Sequence, residues 1–323
     1  MVCARDVPEP FSLVRRITCA EGDSHEVKPD RAAGPAVGLV ATIAKVIKWV
    51  LFGLCGGKYK SKTLSIFLAT FLYYICMHIV SWNIKADISS ALVSWKRRKQ
   101  LLREAIIALH ADVYCLQETQ KNQLDFLMEG MDGYTYVGVG RDDGKEAGEY
   151  CPIIYNQEKI HLISQGTFWL SDTSDVPSKG YDTYPRICTW AIFDDGVHET
   201  PITIYNTHLP LIFNFLGKKK AIQVLLNRIG ADTMKPLIVA GDFNACPKSP
   251  VWQALYAAGF LYGGDGRASV HTLTIPTVCI DGICTRGPLR VSSYAYVRTH
   301  HGLLYPSDHF GVSMVCERTS LHP

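Results

Sequence analysis

Residues 236–244 read Pro-Leu-Ile-Val-Ala-Gly-Asp-Phe-Asn, and this stretch decides the fold class. An uncharged apolar run such as 236–240 is typical of a strand that is buried on both faces. Asp242 and Asn244 follow the run almost at once. In α/β domains, ligands gather where strands end. The stretch therefore predicts a buried strand of a mixed α/β domain that carries a carboxylate and an amide to a site.

Outward from this stretch, strand and helix patterns alternate from about residue 76. Residues 77–83 and 202–208 have the alternation of strands, and residues 112–118 are a short apolar run that ends in a carboxylate. Residues 95–110 carry an apolar stripe at helical spacing, and we interpret their basic run, which includes Arg98, as a solvated helix face. Further strands are predicted at 151–155 and 187–193, and helices at 218–229 and from Pro250 onward, with the Ser249 hydroxyl as N-cap.

Composition bounds the class of protein. The 323 residues fit one large α/β domain with an N-terminal extension. Apolar residues make up 47% and charged residues 20%, which argues against global disorder. The net charge is only +3, so a polyanionic substrate must be inferred from the site and not from charge. None of the eleven cysteines forms a Cys-x-x-Cys pair, which argues against a zinc or redox motif.

The N-terminal part differs in composition from the rest. Residues 1–34 are polar, and we expect them to be a disordered segment. Residues 35–75 contain two apolar runs separated by Lys58, Lys60 and Lys62, which favours one or two helices that associate with a membrane. The alternatives are helices packed on the catalytic domain and a cytoplasmic location. The catalytic domain is predicted to span residues 76–323, and no protein partner can be inferred.

Carboxylates, amides and histidines recur where apolar strand patterns end. Cleavage of an anionic phosphoester needs a divalent cation, a group that activates water, and donors for the phosphoryl oxygens. Hard cations such as Mg²⁺ take oxygen ligands. The set therefore predicts a phosphoester hydrolase dependent on Mg²⁺ or Mn²⁺. Its members are Asn83, Glu118, His208, Asp242, Asn244, Asp281, Asp308 and His309.

The order of these motifs resembles the endonuclease/exonuclease/phosphatase superfamily, which includes deoxyribonuclease I. The resemblance covers about residues 76–317, and residues 166–171 and 305–310 look most like the deadenylase-related branch. It implies a four-layered α/β sandwich, in which two packed mixed β-sheets are flanked by helices. The motifs are Trp82-Asn83, Gln117-Glu118, Pro185-Arg186, Asn206-Thr-His208, Gly241-Asp242-Phe-Asn244, Ile280-Asp281 and Ser307-Asp308-His309.

The resemblance also implies roles for the residues that meet the metal and the water. Asn83, Glu118 and Asp308 would hold the metal, and Asn83 would also contact a phosphate oxygen. Asp242 would orient or deprotonate the attacking water.

Other residues of the set would meet the phosphoryl group. Asn244 and Arg186 would contact the phosphate, and Arg186 has the alternative of holding an acidic site residue. His208 would donate to a non-bridging oxygen. Tyr155 matches a family tyrosine near the phosphate, with a core aromatic as the alternative.

Proton transfer would fall to His309 as general acid/base, with Asp281 fixing its tautomer. The family commonly has a bulky residue after this aspartate, whereas Gly282 stands here. His271, His300 and His301 are interpreted as ordinary loop histidines.

The sequence leaves several substrate classes open. The motifs favour a phosphodiesterase or nuclease acting on RNA in the manner of a 3′–5′ exoribonuclease. The apolar N-terminal part favours a membrane-associated phospholipid or sphingomyelin phosphodiesterase, or an inositol-phosphate phosphatase. A second alternative is a non-catalytic, membrane-tethered scaffold, although the concentrated carboxylates argue against it.

Overall fold

The computed structural model describes residues 76–87, 94–272 and 275–319. Strands and helices alternate along these residues, as the sequence patterns predict. In chain order the elements are β1 (Cys76–Asn83), α1 (Trp95–Leu109), β2 (Val113–Gln117), α2 (Lys121–Met128), β3 (Tyr134–Val137), β4 (Ile153–Asn156), β5 (His161–Trp169), β6 (Ile187–Asp194), β7 (Ile202–His208), α3 (Phe215–Ile229), β8 (Leu237–Asp242), α4 (Pro250–Ala257), β9 (Leu261–Tyr262), β10 (Val270–Thr272), β11 (Ile275–Val278), β12 (Asp281–Arg286), β13 (Leu289–Val297) and β14 (Gly311–Arg318).

Most of the strands belong to two six-stranded sheets. The first sheet has the order β13-β14-β1-β2-β4-β3, and the second has the order β5-β6-β7-β8-β12-β9. Both sheets are mixed, because β1 and β2 run parallel, as do β7 and β8, while their other neighbours include antiparallel pairs. A separate two-stranded ribbon consists of β10 and β11.

Three apolar clusters of the core lie between the four layers, and a fourth, smaller cluster contains Cys151, Trp169 and Ile187. One cluster joins the facing sides of the sheets and includes Ile79, Val113, Ile204 and Ile238. A second cluster packs α1 and α2 on the outer face of the first sheet. A third packs α3 and α4 on the outer face of the second. The structure thus confirms the expected four-layered α/β sandwich of two mixed sheets flanked by helices.

Strand β8 shows why an uninterrupted apolar run was needed at this position. Ile238 and Ala240 belong to the cluster between the sheets, whereas Leu237 and Val239 belong to the cluster under α3 and α4. Alternate side chains of a strand point to opposite faces, so a strand covered on both faces is apolar throughout.

The two parallel pairs of strands carry predicted site residues at their carboxyl ends. Helix α1 connects β1 to β2, and α3 connects β7 to β8, so each pair is a βαβ unit. The register aligns Asn83 with Gln117 in the first unit and His208 with Asp242 in the second. Antiparallel β12 begins with Asp281 directly beside Asp242. Residues far apart in the sequence therefore meet at strand ends.

Several local expectations need correction. Arg98 is 1% exposed and is not on a solvated helix face, because it lies between Trp95 and Leu102 on the buried side of α1. Helix α3 begins at Phe215, three residues before the predicted start, and the Asn214 side chain caps it by accepting from the Gly217 N–H. Ser249 does precede α4, but its hydroxyl makes no capping bond.

The expected membrane segment, residues 35–75, lies outside the described residues, as does the segment 1–34. Within the described ranges, no helix is long and apolar enough to cross a bilayer. The prediction of membrane association therefore finds no support in the described part of the chain. Membrane binding by residues 35–75 stays a prediction from sequence.

Candidate active site

The ends of β1 and β2 bring the first two site residues together. Asn83 closes β1 opposite Gln117, so Glu118 follows at its side. Asn83 Nδ2 donates to Glu118 Oε1 over 3.0 Å, and Glu118 Oε2 accepts from the Ala86 N–H over 3.1 Å. Glu118 has a φ of +54°, in the left-handed region that non-glycine residues rarely occupy. Such strained backbone concentrates at functional sites, where surrounding contacts enforce it.

The second sheet adds carboxylates from two neighbouring strands. Asp242 ends β8 and lies between His208 of β7 and Asp281 of β12 in the strand register. Asn83 Nδ2 also donates to Asp242 Oδ2 over 3.1 Å, so one amide bridges the two sheets. Asn244 has a φ of +47°, and its N–H donates to Asp242 Oδ1 over 2.8 Å. This bond fixes the carboxylate from the other side.

The electrostatics of Asp242 suit exchange of protons with water. Its side chain is 2% exposed. Burial, followed by repulsion from Asp281, raises the pKa of Asp242 to about 7, although attraction to His309 and hydrogen bonds from Asn244 and Asn83 lower it. A base is most effective when its pKa lies near the working pH.

A hydrogen-bonded pair of His309 and Asp281 stands beside Asp242. His309 Nδ1 and Asp281 Oδ2 are 2.8 Å apart. Burial alone would lower the pKa of His309, but the charge and hydrogen bond of Asp281, together with Asp242 and Asp308, raise it to about 10. The imidazole is therefore held in its protonated form near neutral pH, which is the form that a general acid needs.

His208 is buried against Asn244 and Asp242. Asn244 Nδ2 lies 3.1 Å from His208 Nε2, and Asp242 Oδ2 lies 3.5 Å from the same nitrogen. Burial, followed by the charges of Arg186, His309 and Arg141, lowers the pKa of His208 well below its usual value. The ring is therefore neutral at physiological pH.

The donor set fits a hard divalent cation. Glu118, Asp242 and Asp308 provide carboxylate oxygens, which Mg²⁺ prefers. Burial and repulsion from Asp281 raise the pKa of Asp242, so a positive charge beside these two carboxylates would stabilise the ionised form of Asp242. Lys85 provides such a charge to Asp308, because its Nζ lies 2.5 Å from Asp308 Oδ2.

A second grouping could also hold a metal. Ligand atoms of Asp242, Asp281 and His309 lie within 4.8 Å of one another. His309 and Asp281 are already bonded to each other, however, which favours a role in proton transfer over metal ligation. The predicted ligands Asn83 and Glu118 lie next to this grouping through the bridge to Asp242.

The remaining predicted residues separate into two cases. Arg186 is 4% exposed, and its Nε donates to Asp182 Oδ2 over 2.9 Å. It therefore holds an acidic residue. Arg186 also lines a pocket together with His208. Tyr155 lies in the core between the sheets, packed against Phe193 at a ring distance of 4.9 Å. It pairs with Val113, at the far end of β2 from Glu118, so the expectation that Tyr155 contacts phosphate is corrected to the core alternative.

Arg98 supports the site, although its position within a basic run of the sequence indicated a solvated helix face. Its guanidinium donates to four backbone carbonyls, those of Ile84, Lys85, Ala86 and Pro306. These bonds tie the segment after Asn83 to the segment before Ser307. The available signal was spacing, because Arg98 follows Trp95 by three residues and precedes Leu102 by four, within the apolar stripe.

Ser269 and His271 also position site residues, because Ser269 contacts Asp281 and His271 contacts the segment that leads to Asp308; neither was identified from the sequence. Ser269 Oγ donates to Asp281 Oδ2 over 2.6 Å and accepts from the N–H of Asp281 over 3.0 Å. His271 lies in β10, not in a loop, and its Nε2 is 3.0 Å from the carbonyl of Ser307. No motif surrounds either residue, so only the fold reveals their function.

A comparison of sequences identifies the protein family. Residues 80–309 match the profile of the Endonuclease/Exonuclease/phosphatase family, and the match contains every predicted site residue. The chain belongs to the endonuclease/exonuclease/phosphatase family. Enzymes of this family are hydrolases of phosphoester bonds and generally depend on divalent metals.

Curated relatives match about half of this chain. Uncharacterized protein L388 of Acanthamoeba polyphaga mimivirus is 29% identical over 168 residues, which are 49% of this chain and 62% of that protein. Protein angel of Drosophila melanogaster is 25% identical over 192 residues, 53% of each protein. The CCR4-Not complex 3′-5′-exoribonuclease subunit Ccr4 of Mycosarcoma maydis is 23% identical over 234 residues, 55% of this chain and 35% of that protein. The chain thus spans less than two-thirds of each, and the resemblance to the deadenylase-related branch is confirmed.

Solved bacterial structures match over almost their whole length. The endonuclease/exonuclease/phosphatase from Bacteroides vulgatus superposes with a TM-score of 0.70 at 25% identity, covering 75% of this chain and 99% of that one. The mannosyl-6-phosphatase Bt3783 of Bacteroides thetaiotaomicron VPI-5482 superposes with a TM-score of 0.65 at 26% identity, covering 74% and 98%.

Proposed function

We propose that this family member is a Mg²⁺- or Mn²⁺-dependent phosphodiesterase that hydrolyses RNA as a 3′–5′ exoribonuclease. The observation that carries the chemistry is the Asn83 amide, which bridges Glu118 and Asp242 beside the bonded pair of Asp281 and His309. Oxygen ligands, a buried carboxylate and a protonated imidazole thus occur together, as phosphoester hydrolysis requires.

The metal would be held by Glu118 and Asp308, with Asn83 between Glu118 and the second sheet. A bound divalent cation would supply neutralisation of the charge that develops on the phosphoryl oxygens. Glu118 is held for this role by the bonds from Asn83 and Ala86.

The protein side chains would then carry the protons. Asp242 holds the attacking water and takes its proton as the water oxygen bonds to phosphorus. The bond from phosphorus to the leaving oxygen breaks, and His309 donates a proton to that oxygen. Asp281 keeps the His309 ring in place through Nδ1, which leaves Nε2 for the leaving group. Asn244 is fixed by bonds from its Nδ2 to His208 and Leu209 and would flank the phosphoryl group.

Support for RNA comes from the relatives. The Ccr4 subunit of Mycosarcoma maydis is named a 3′-5′-exoribonuclease, and its matched segment covers 55% of this chain. Chemistry alone does not distinguish RNA from other phosphoesters, because the catalytic residues address only the phosphate and the leaving oxygen.

A second candidate is hydrolysis of a sugar phosphomonoester. It is favoured by the similarity to the mannosyl-6-phosphatase Bt3783, which extends over 98% of that chain. The same catalytic groups serve either reaction, since both break a bond between phosphorus and an ester oxygen.

A substrate panel separates these candidates. Wild type and Asp242→Asn would be offered 5′-labelled oligo(A), mannose 6-phosphate, sphingomyelin and a phosphoinositide in Mg²⁺. The proposal predicts a ladder of shortened, 5′-labelled products that the Asp242→Asn variant fails to produce. Turnover of mannose 6-phosphate without cleavage of oligo(A) would favour the second candidate, and turnover of a lipid alone would contradict both.

A further inference from the structure

A pocket opens beside the catalytic cluster, next to Glu118 and His208. Arg141, which precedes β4, and Arg186, which precedes β6, line it together with Glu149. Asn83, Asp242, Asn244 and His309 are not among its lining residues, so the pocket flanks the catalytic cluster and does not coincide with it.

Three buried nitrogen atoms of the lining residues have no hydrogen-bond partner among the described residues. They are Arg141 Nε, Arg186 Nη1 and His208 Nδ1. Asp142 Oδ1 lies 3.8 Å from Arg141 Nε, beyond hydrogen-bond range. The side chains are buried, with exposures of 8%, 4% and 6% for Arg141, Arg186 and His208. Buried donors without partners are rare and costly, which points to an absent acceptor.

The His208 nitrogen is a donor in the neutral ring. Because Nε2 accepts from Asn244 Nδ2, the tautomer that this bond implies carries its proton on Nδ1. All three unpartnered atoms are therefore N–H donors.

Both guanidinium groups are held rigidly by carboxylates. Arg141 Nη1 donates to Glu149 Oε2 over 2.5 Å, and the Arg141 carbonyl accepts from Trp169 Nε1 over 2.7 Å. Arg186 Nε donates to Asp182 Oδ2 over 2.9 Å. In each arginine, one N–H of the guanidinium thus donates to a carboxylate that fixes the side chain, and another N–H is left for a ligand. This arrangement is typical of preorganised anion recognition.

We propose that Arg141, Arg186 and His208 bind a second phosphate of the substrate, adjacent to the phosphate that is cleaved. A phosphate group offers several acceptor oxygens and can serve all three donors, whereas a water molecule has only two acceptor lone pairs. The proposal rests on the proposed function in taking the substrate to be a chain of phosphodiesters, and it assigns to Arg141 a role in substrate recognition.

The His208 ring lies between the catalytic residues and the flanking pocket. Its Nε2 belongs to the catalytic side, where Asn244 and Asp242 lie, and its Nδ1 is left for the pocket. The negative charge of Glu149 is offset by Arg141, and that of Glu118 would be offset by the metal, so the pocket does not repel an anion.

The test compares two trinucleotides in Mg²⁺, ApApA and the same trinucleotide with an uncharged methylphosphonate at the 5′ linkage. The 3′ linkage is cleaved in both. We expect the neutral linkage to lower kcat/KM of the wild type by about 10- to 100-fold, the effect of losing charge-assisted hydrogen bonds. In Arg141→Gln, the two substrates should be cleaved at similar rates.

Lys145→Gln is the matched control, because it removes one positive charge from an exposed position of the same segment. It should discriminate between the trinucleotides as the wild type does. Arg141→Lys, which keeps the charge but not the guanidinium fork, covers the case in which Arg141→Gln fails to fold, and it should lose most of the discrimination. Equal cleavage of both trinucleotides by the wild type would overturn the proposal and leave the proposed function intact.

Binding of inorganic pyrophosphate provides a readout independent of RNA cleavage. Calorimetric titration of the wild type in the presence of Mg²⁺ should show binding that Arg141→Gln weakens about tenfold or more and Lys145→Gln does not. If no RNA is cleaved, the proposed function fails, and this titration alone decides whether the pocket binds phosphate. Absence of binding, or binding equal in wild type and Arg141→Gln, would refute the anion site.

Discussion

Gln117 and Asn206 join the two sheets through a buried hydrogen bond of 2.7 Å from Gln117 Nε2 to Asn206 Oδ1. Asn206 Nδ2 in turn donates to the carbonyls of Leu116 and Pro152, both over 2.8 Å. Gln117 precedes Glu118 directly, and Asn206 precedes His208 by two residues. The amide pair therefore fixes the two sheets relative to each other where their strand ends form the site.

Replacement of Asn206 should destabilise the fold. Asn206→Ala removes a buried acceptor of Gln117 Nε2 and a donor to the Leu116 carbonyl, and it leaves the Pro152 carbonyl with the Leu116 N–H. Each loss costs about 1–3 kcal/mol in buried surroundings. We expect the free energy of unfolding, measured by urea denaturation, to fall by about 3 kcal/mol. Asn227→Ala, at an exposed amide of α3, should change it by less than about 0.5 kcal/mol. Equal effects of the two substitutions would contradict the structural role of Asn206.

Arg98 provides a second test of stability. Arg98→Ala removes a charged donor from four carbonyls at the end of β1 and around Pro306, and it leaves a cavity beside Trp95. The free energy of unfolding should fall by about 3 kcal/mol or more. Lys96→Ala, on the exposed side of the same helix, serves as control and should have little effect. If both variants unfold at the wild-type denaturant concentration, Arg98 does not clamp this segment.

His78 should make stability fall in mild acid. Burial, followed by the charges of Lys159 and His110, lowers the pKa of His78 from 6.5 to about 4. The folded state therefore resists protonation, so stability is complete above pH 6.5 and is lost as the pH falls from 6.5 towards 4. The measurement is the free energy of unfolding at pH 7.5 and pH 5 for wild type and His78→Gln. The wild type should lose more stability than the variant between these pH values, and the opposite order would contradict the assignment.

The pair of His309 and Asp281 should act on the chemical step. His309→Ala should lower kcat by about 100-fold or more, the usual range for loss of a general acid/base. Asp281→Asn should keep the ring in place less well and lower the pKa of His309, because it removes the largest of the interactions that raise it. His309 acts as a general acid and therefore controls the base-side limb of the kcat profile, which should move to lower pH. A variant that changes only KM would show that His309 does not transfer a proton.

Much of the site could be predicted because its residues stand at strand ends. Asn83, Glu118, His208 and Asp242 each close or follow a strand whose period is legible in the sequence, and parallel pairing brings such ends together. The order of the family motifs along the chain then indicated a role for each of these residues. The all-apolar run before Asp242 was interpretable for the same reason, because a strand covered on both faces has no polar side.

Other parts of the site could not be predicted because they depend on pairing across the fold. Ser269, directly before β10, contacts Asp281, and His271 of β10 contacts the carbonyl of Ser307; no local pattern encodes the position of this two-stranded ribbon. Tyr155 lies near the motifs in sequence, yet the antiparallel register with β2 places it at the far end from Glu118. Arg141 lies in an irregular segment, and its unpartnered N–H becomes visible only beside Arg186 and His208.

The most direct test of a divalent-metal hydrolase centred on Glu118 and Asp242 is the rate of phosphodiester cleavage as a function of free Mg²⁺, measured for wild type, Glu118→Gln and the exposed control Glu129→Gln. Wild type and Glu129→Gln should require Mg²⁺ and lose activity in excess EDTA. Glu118→Gln should fall by about 100-fold or more at every Mg²⁺ concentration while keeping the wild-type melting temperature, because an amide is a poorer ligand for Mg²⁺. Full activity of the wild type in EDTA, or wild-type activity of Glu118→Gln, would contradict the account.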